Sequence, residues 1–258
     1  MKFCQIITNI EKGGAWVPFC IIAVLAGCAA WLTELPPTDI FEVYAPSAEA
    51  FARGDWKYAF HPRTGVFFPA LSGSIAWVFS CSGERACQIA SISMLALSCF
   101  PLFALFGMIW DRRTAWIATL LTAVTSHMMR FAAEGLRDSG KLLALALLAL
   151  GLCGLKRDAE SLRYGIFFCI GSALLVLLRG EGGVIVAVCG IYACFIVADW
   201  KRIAAGTVLF LLLLLPQLYY NFRTIGYPVP ELRYGAVLKK AGILPPGTPE
   251  VEIPESAL

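Results

Sequence analysis

The feature that most constrains this chain is its division into long apolar blocks separated by short charged loops. Blocks lie at Trp16–Leu32, Ala86–Trp110, Thr114–Met128, Leu142–Leu155, Tyr164–Leu178, Gly182–Trp200 and Ile203–Tyr219. In lipid every backbone polar group must be satisfied internally, so only helices and closed barrels cross a membrane. Barrel strands would alternate apolar and polar residues, and these blocks do not. A spanning helix needs about 20 apolar residues, and the blocks predict an all-α, polytopic bundle of about seven transmembrane helices. Several blocks are short, so flanking Arg and Lys must snorkel or the bilayer must thin locally. A further apolar stretch, Gly65–Phe79, carries Pro69, Gly73 and several serines and reads as a helix lying on or dipping into the membrane.

Composition excludes other classes. Charged residues make up 15% of the chain, against about 25% in soluble domains. A net charge of +3 is too small for a nucleic-acid footprint, so no nucleic-acid partner is expected. Most of the ten cysteines fall within apolar runs, where Cys acts as a small hydrophobe. No CxxC pair suggests a metal site, although Cys81 and Cys87 flank a polar patch and are spaced for a disulfide outside the cytosol. The box Leu25-Ala26-Gly27-Cys28 resembles a lipoprotein cleavage site, but the apolar run continues to Leu32 as a retained helix would.

If the spans alternate, Asp111–Arg113, Leu155–Arg163, Asp199–Arg202 and the lysine-bearing N-terminus share one side, which the positive-inside rule makes cytoplasmic. The first long loop (about 33–85), the 128–141 turn, the 179–183 turn and the tail then face outward. The module covers residues 1–220, and the polar, proline-punctuated tail covers 221–258. Twelve of the 21 basic residues are outward, but long loops weigh little in this rule. Arg130, Arg137, Lys141 and Arg179 need another reason.

Arg130, Glu134, Arg137, Asp138 and Lys141 step by three or four residues and share one face if helical. They form either a self-neutralising network or an anion site in which Glu134 and Asp138 orient the cations. Arg presents a planar fork to phosphate oxygens and Lys a point charge. Arg179 and Glu181, in LLRGEGG, mark either a simple glycine-rich turn or a second basic group on the same side. Asp39 follows Pro36-Pro37 and either caps the helix carrying Glu42 and Tyr44 or acts as a general base. His61 reads equally as a phosphate donor, an acid/base group or an interfacial residue.

These segments resemble a known family. TDIFEVYAPSAEAFARGDW, HPRTGVFFPAL, SHMMRFAAEGLRDSGKLLALALLAL and LLRGEGG look like the N-terminal membrane module of the GT-C glycosyltransferases. The branch is that of the protein O-mannosyltransferases and lipid A aminoarabinose transferases. Asp39, Gly54-Asp55-Trp56, His61-Pro62, Arg130 and Asp138 stand where that branch carries its loop motifs, with Arg63 replacing a proline. The resemblance implies sugar transfer from a polyprenyl-phosphate-linked donor to an acceptor hydroxyl at the outer face of the inner membrane. It makes Asp39 the base and Glu42, Glu134 and Asp138 orienting groups. His61, Arg130, Arg137, Lys141 and Arg179 would hold the lipid phosphate. No cofactor is assigned, and Asp39, Glu42 and Asp138 are the candidate ligands for a divalent cation. Family members commonly carry further spans and a C-terminal domain, and the resemblance implies a partner subunit that supplies that part. The rival readings are a non-catalytic protein that binds a lipid phosphate or a partner, and a small-molecule transporter.

Overall fold

A computed structural model describes residues 14–32, 40–60, 65–180, 182–197 and 199–226, and these residues form an all-helical fold. Helix α1 spans Trp16–Leu32, and a π-helical turn, Ile40–Tyr44, runs into α2, Ala45–Ala52. Short α3 (Trp56–Ala59) and α4 (Phe67–Phe79) follow. Then come α5 (Gly83–Ile109), α6 (Arg112–Ala123), α7 (Ser126–Ala133) and α8 (Ser139–Arg157). Helices α9 (Leu162–Leu178), α10 (Gly182–Val197) and α11 (Trp200–Ile225) complete the described chain. Among them α5, α8 and α11 are long and apolar enough to cross a membrane, while α1, α4, α9 and α10 are shorter apolar helices.

Contacts between distant loops sort the bundle into two ends. At the first, which we call the basic end, a Cβ on Gly14 would lie 3.6 Å from Arg112. There too Arg157 donates to the Met108 carbonyl and Arg202 to that of Glu160. At the opposite, loop end, Arg85 lies over the Trp31 ring, Gln88 Nε2 donates to the Ala133 carbonyl at 2.9 Å, and Tyr220 donates to the Phe60 carbonyl. The described parts of the loops expected to share a side therefore share an end. Tryptophan marks both: Trp16, Trp110 and Trp200 at the basic end, and Trp31, Trp56 and Trp77 at the loop end, all exposed. Such belts are what a helix bundle presents to the two membrane–water interfaces.

The closest packing is the α8–α9 seam. A Cβ on Gly151 would fall 2.4 Å from the Phe168 nitrogen, one on Gly154 2.1 Å from the Tyr164 ring, and one on Gly171 2.4 Å from the Leu148 nitrogen. Small residues allow this backbone approach, which replaces the hydrophobic drive that lipid does not supply. The main core sits toward the loop end, where Ile40, Tyr44, Phe68, Met94, Leu148 and Leu178 pack together.

Several expectations need correction. The block at 114–128 is not one helix: α6 ends at Ala123, and α7 begins at Ser126 after a break at Val124–Thr125. The charged stripe at 130–141 is not one helical face either, because α7 ends at Ala133 and Gly135 turns the chain with φ of +74°. Cys81 and Cys87 are both free thiols. Helix α11 continues to Ile225, past the expected boundary at 220.

Candidate functional site

Antiparallel topology builds the site. Helix α8 starts at the loop end and α9 finishes there, so Asp138, just before α8, faces Arg179, just after α9. The signs suit the helix ends: a carboxylate beside an N-terminus and a guanidinium beside a C-terminus are each stabilised by the helix dipole. Arg179 Nη2 lies 3.3 Å from Asp138 Oδ1 and 3.4 Å from Oδ2, and Lys141 Nζ lies 2.6 Å from Oδ1. The Asp138 side chain is only 12% exposed, against 29% for Lys141 and 34% for Arg179. Arg137, next to Asp138 in the chain, sits over the Tyr44 ring at 5.7 Å.

Residues outside the cluster hold its turn in place. Ser91 donates to the Leu136 carbonyl at 2.8 Å, and Ser139 donates to the Ser91 carbonyl at 3.0 Å. Gln88 fixes Ala133 just upstream. Two glycines let the elements close. A Cβ on Gly135 would crowd Gln88 at 2.9 Å and Ile40 at 3.0 Å, and one on Gly140 would crowd Met94 at 2.6 Å and Leu178 at 2.9 Å.

The first loop reaches the same end. Ile40, fully buried, touches the Gly135 turn, and Tyr44 meets Phe68 edge to face at 5.4 Å. Gly65 lies against the Leu177 carbonyl and Gln217 Oε1, which accepts from the Val66 nitrogen at 2.6 Å. Four segments distant in sequence thus meet around the start of α8. Glu49 accepts from the Gly83 nitrogen at 3.2 Å, adding a carboxylate to the N-terminus of α5.

Of the sequence-expected site residues, Asp138, Lys141 and Arg179 come together, while Arg137, next to Asp138 in the chain, lies over the Tyr44 ring. Arg130 and Glu134 instead pair with each other at 2.6 Å, with Arg130 67% exposed. The separation follows from the break at Gly135, which rotates α7 away from the start of α8. Glu42 is exposed on the turn that buries Ile40 and Tyr44. Asp39, His61 and Glu181 lie outside the described residues. No group of three or more metal-ligating side chains occurs among the described residues.

Sequence reading missed Gln217 and Asn221, both fully buried in α11, most of whose other side chains are exposed. Their signal was available: polar residues in an apolar span usually face a protein partner. No family model, curated protein or solved structure matches the chain.

Proposed function

We propose that this protein is a membrane glycosyltransferase of GT-C type, with about seven spans, that transfers a sugar from a polyprenyl-phosphate donor to an acceptor hydroxyl. The observation that supports this reading is the shared carboxylate of Asp138, which holds Lys141 and Arg179 from different helices with Arg137 alongside. Two basic side chains on one partly buried carboxylate, with a third next to it in the chain, leave a net positive charge that favours an anionic group such as a phosphate. In sugar transfer, the bond from the anomeric carbon to the phosphate oxygen breaks as the acceptor oxygen bonds to that carbon. Negative charge grows on the departing phosphate, and cations fixed beforehand stabilise it strongly. The acceptor hydroxyl loses its proton to a carboxylate, for which the resemblance nominates Asp39. Glu42 and Asp138 are then orienting groups, and His61 assists the phosphate. A divalent cation and a partner subunit are compatible with this scheme. The loop end would be the outer, periplasmic face of the inner membrane, with the basic end cytoplasmic.

The test is polyprenyl-phosphate binding by the protein in lipid nanodiscs. Arg179→Ala and Lys141→Ala should each weaken binding by about tenfold or more, as loss of a charge-assisted hydrogen bond predicts. Arg130→Ala should bind normally, because Arg130 lies on α7, before the Gly135 turn, and is not among the described side chains that meet at Asp138. Absence of saturable binding would remove the proposal. Retained binding with no sugar transfer by the wild type would favour the non-catalytic lipid-phosphate reading. Asp39→Asn should abolish transfer while sparing binding, and full activity in that variant would exclude Asp39 as base. Transport is the weaker rival, because the charged cluster sits at one end and not at the midplane, where transporters bind.

A further inference from the structure

Beside the α8 seam, an apolar groove of about 740 Å3 opens between α9, α10 and α11, with Leu155 of α8 at its edge. Phe168 and Ser172 of α9, Val186 and Ala193 of α10, and Phe210 of α11 line it. Gly165 and Gly190 also border it, and a Cβ on either would meet nothing within 4 Å. The groove extends from Leu162 at the basic end to Ser172, ten residues further along α9. At 1.5 Å per residue that is about 15 Å, half of a hydrocarbon core about 30 Å thick. Its depth therefore matches one leaflet.

The surroundings limit what can enter. Val184, Val188, Ile191 and Phe195 of α10 and Val208, Leu211, Leu212 and Leu215 of α11 are exposed apolar side chains, so the groove's flanks face lipid. Its mouth carries Glu160 and Arg202, with Lys201 exposed next to it. The described loops at this end hold Arg112, Arg113, Lys156, Arg157, Arg163, Lys201 and Arg202 against Asp111, Asp158, Glu160 and Asp199. Three of those carboxylates are already engaged, Asp111 by the Arg113 and Thr114 nitrogens at 2.9 and 3.1 Å. Asp199 accepts from the Lys201 nitrogen at 3.0 Å and pairs with Arg202 at 3.2 Å, and Asp158 accepts from the Glu160 nitrogen at 3.1 Å. The remaining positive field selects an anionic headgroup.

We propose that this groove is a binding site for an anionic phospholipid, with one acyl chain between α9, α10 and α11 and the phosphate at Lys201 and Arg202. The site lies at the other end of α9 from Asp138 and stands independently of the glycosyltransferase reading.

The experiment is native mass spectrometry of the full chain in detergent, titrated separately with phosphatidylglycerol and phosphatidylethanolamine. Wild type should retain one phosphatidylglycerol in preference to phosphatidylethanolamine. A Cβ at Gly190 meets nothing within 4 Å, so Gly190→Leu extends into the groove from an uncrowded position, and the variant should fold and lose the retained lipid. The K201A/R202A double variant should keep the groove but lose selectivity, by about fivefold per charge removed. Equal retention of the two lipids by wild type would overturn the headgroup assignment. Equal retention of phosphatidylglycerol by wild type and Gly190→Leu would overturn the groove itself. Polyprenyl-phosphate binding should be unchanged in Gly190→Leu, which separates failure of this site from failure of the one at Asp138.

Discussion

Replacing Asp138 with asparagine removes a single negative charge that two cations share, and its cost should exceed that of removing either cation. At 3.3 and 2.6 Å, Coulomb's law with an effective dielectric of about 20 assigns the two contacts about 5 and 6 kcal/mol. Both cations are about one-third exposed, and solvent screening removes most of that energy. About 1 kcal/mol per contact remains, consistent with surface and half-buried pairs. Arg179→Ala leaves Asp138 neutralised by Lys141, and Lys141→Ala leaves it neutralised by Arg179, so each should cost about 1 kcal/mol. Asp138→Asn loses both contacts and leaves two like charges facing one another, so it should cost about 2–3 kcal/mol. Equilibrium unfolding in detergent micelles reads the three differences directly. Added salt should narrow the gap by screening the repulsion. Equal costs for Asp138→Asn and Arg179→Ala would refute the shared-carboxylate argument, as would a neutral Asp138→Asn.

The α8–α9 seam predicts that Gly154→Leu, which drives a side chain into Tyr164, will destabilise by about 1–3 kcal/mol or more. Gly27→Ala on α1, where a Cβ meets nothing within 4 Å, should stay within about 0.5 kcal/mol of wild type in the same unfolding assay. Asp111 caps α6, and its carboxyl is held below the usual range by the Thr114 hydroxyl and the Thr114 and Arg113 backbone amides. A lowered folded pKa means that this contribution is present above the unfolded value, about 3.9, and is lost as pH falls through the folded value. Asp111→Ala should flatten that acid limb, and an unchanged limb would exclude the cap as its source. Finally, Cys81 at the loop end should react with a membrane-impermeant maleimide on intact cells. The Asp158→Cys variant should react at its new site only after permeabilisation, and the reverse pattern would invert the proposed orientation.

Much of the helical framework was legible because apolar blocks and their flanking charges carry a local signal. Trp16–Leu32 is bounded as expected, and α5, α8, α9 and α11 fall on their blocks with ends shifted by a few residues. The break at Val124–Thr125 left a weak signal, the polar run Thr125-Ser126-His127 at a helix start, which the apolar residues on either side masked. The turn at Gly135 did leave a signal, a glycine just past a helix end, but the regular spacing of charges masked it. That spacing grouped Arg130 with Arg137, which the turn separates. Asp138 and Arg179 could be selected as an intramembrane-edge acid and base, yet their pairing depends on α8 and α9 running antiparallel in contact. Gln217 on Val66 lies still further from local pattern, because 151 residues separate the partners.

Backbones that touch along Gly151, Gly154 and Gly171 leave α8 and α9 no compliant side-chain layer through which to slide. The pair therefore behaves as a stiff strut, and Asp138 and Arg179 ride on its tip. If the cluster takes an anion as proposed, that anion would meet charges already set in place, and little of its binding energy would be spent on ordering them. Loosening the seam far from the cluster should then weaken anion binding without touching a single charged residue.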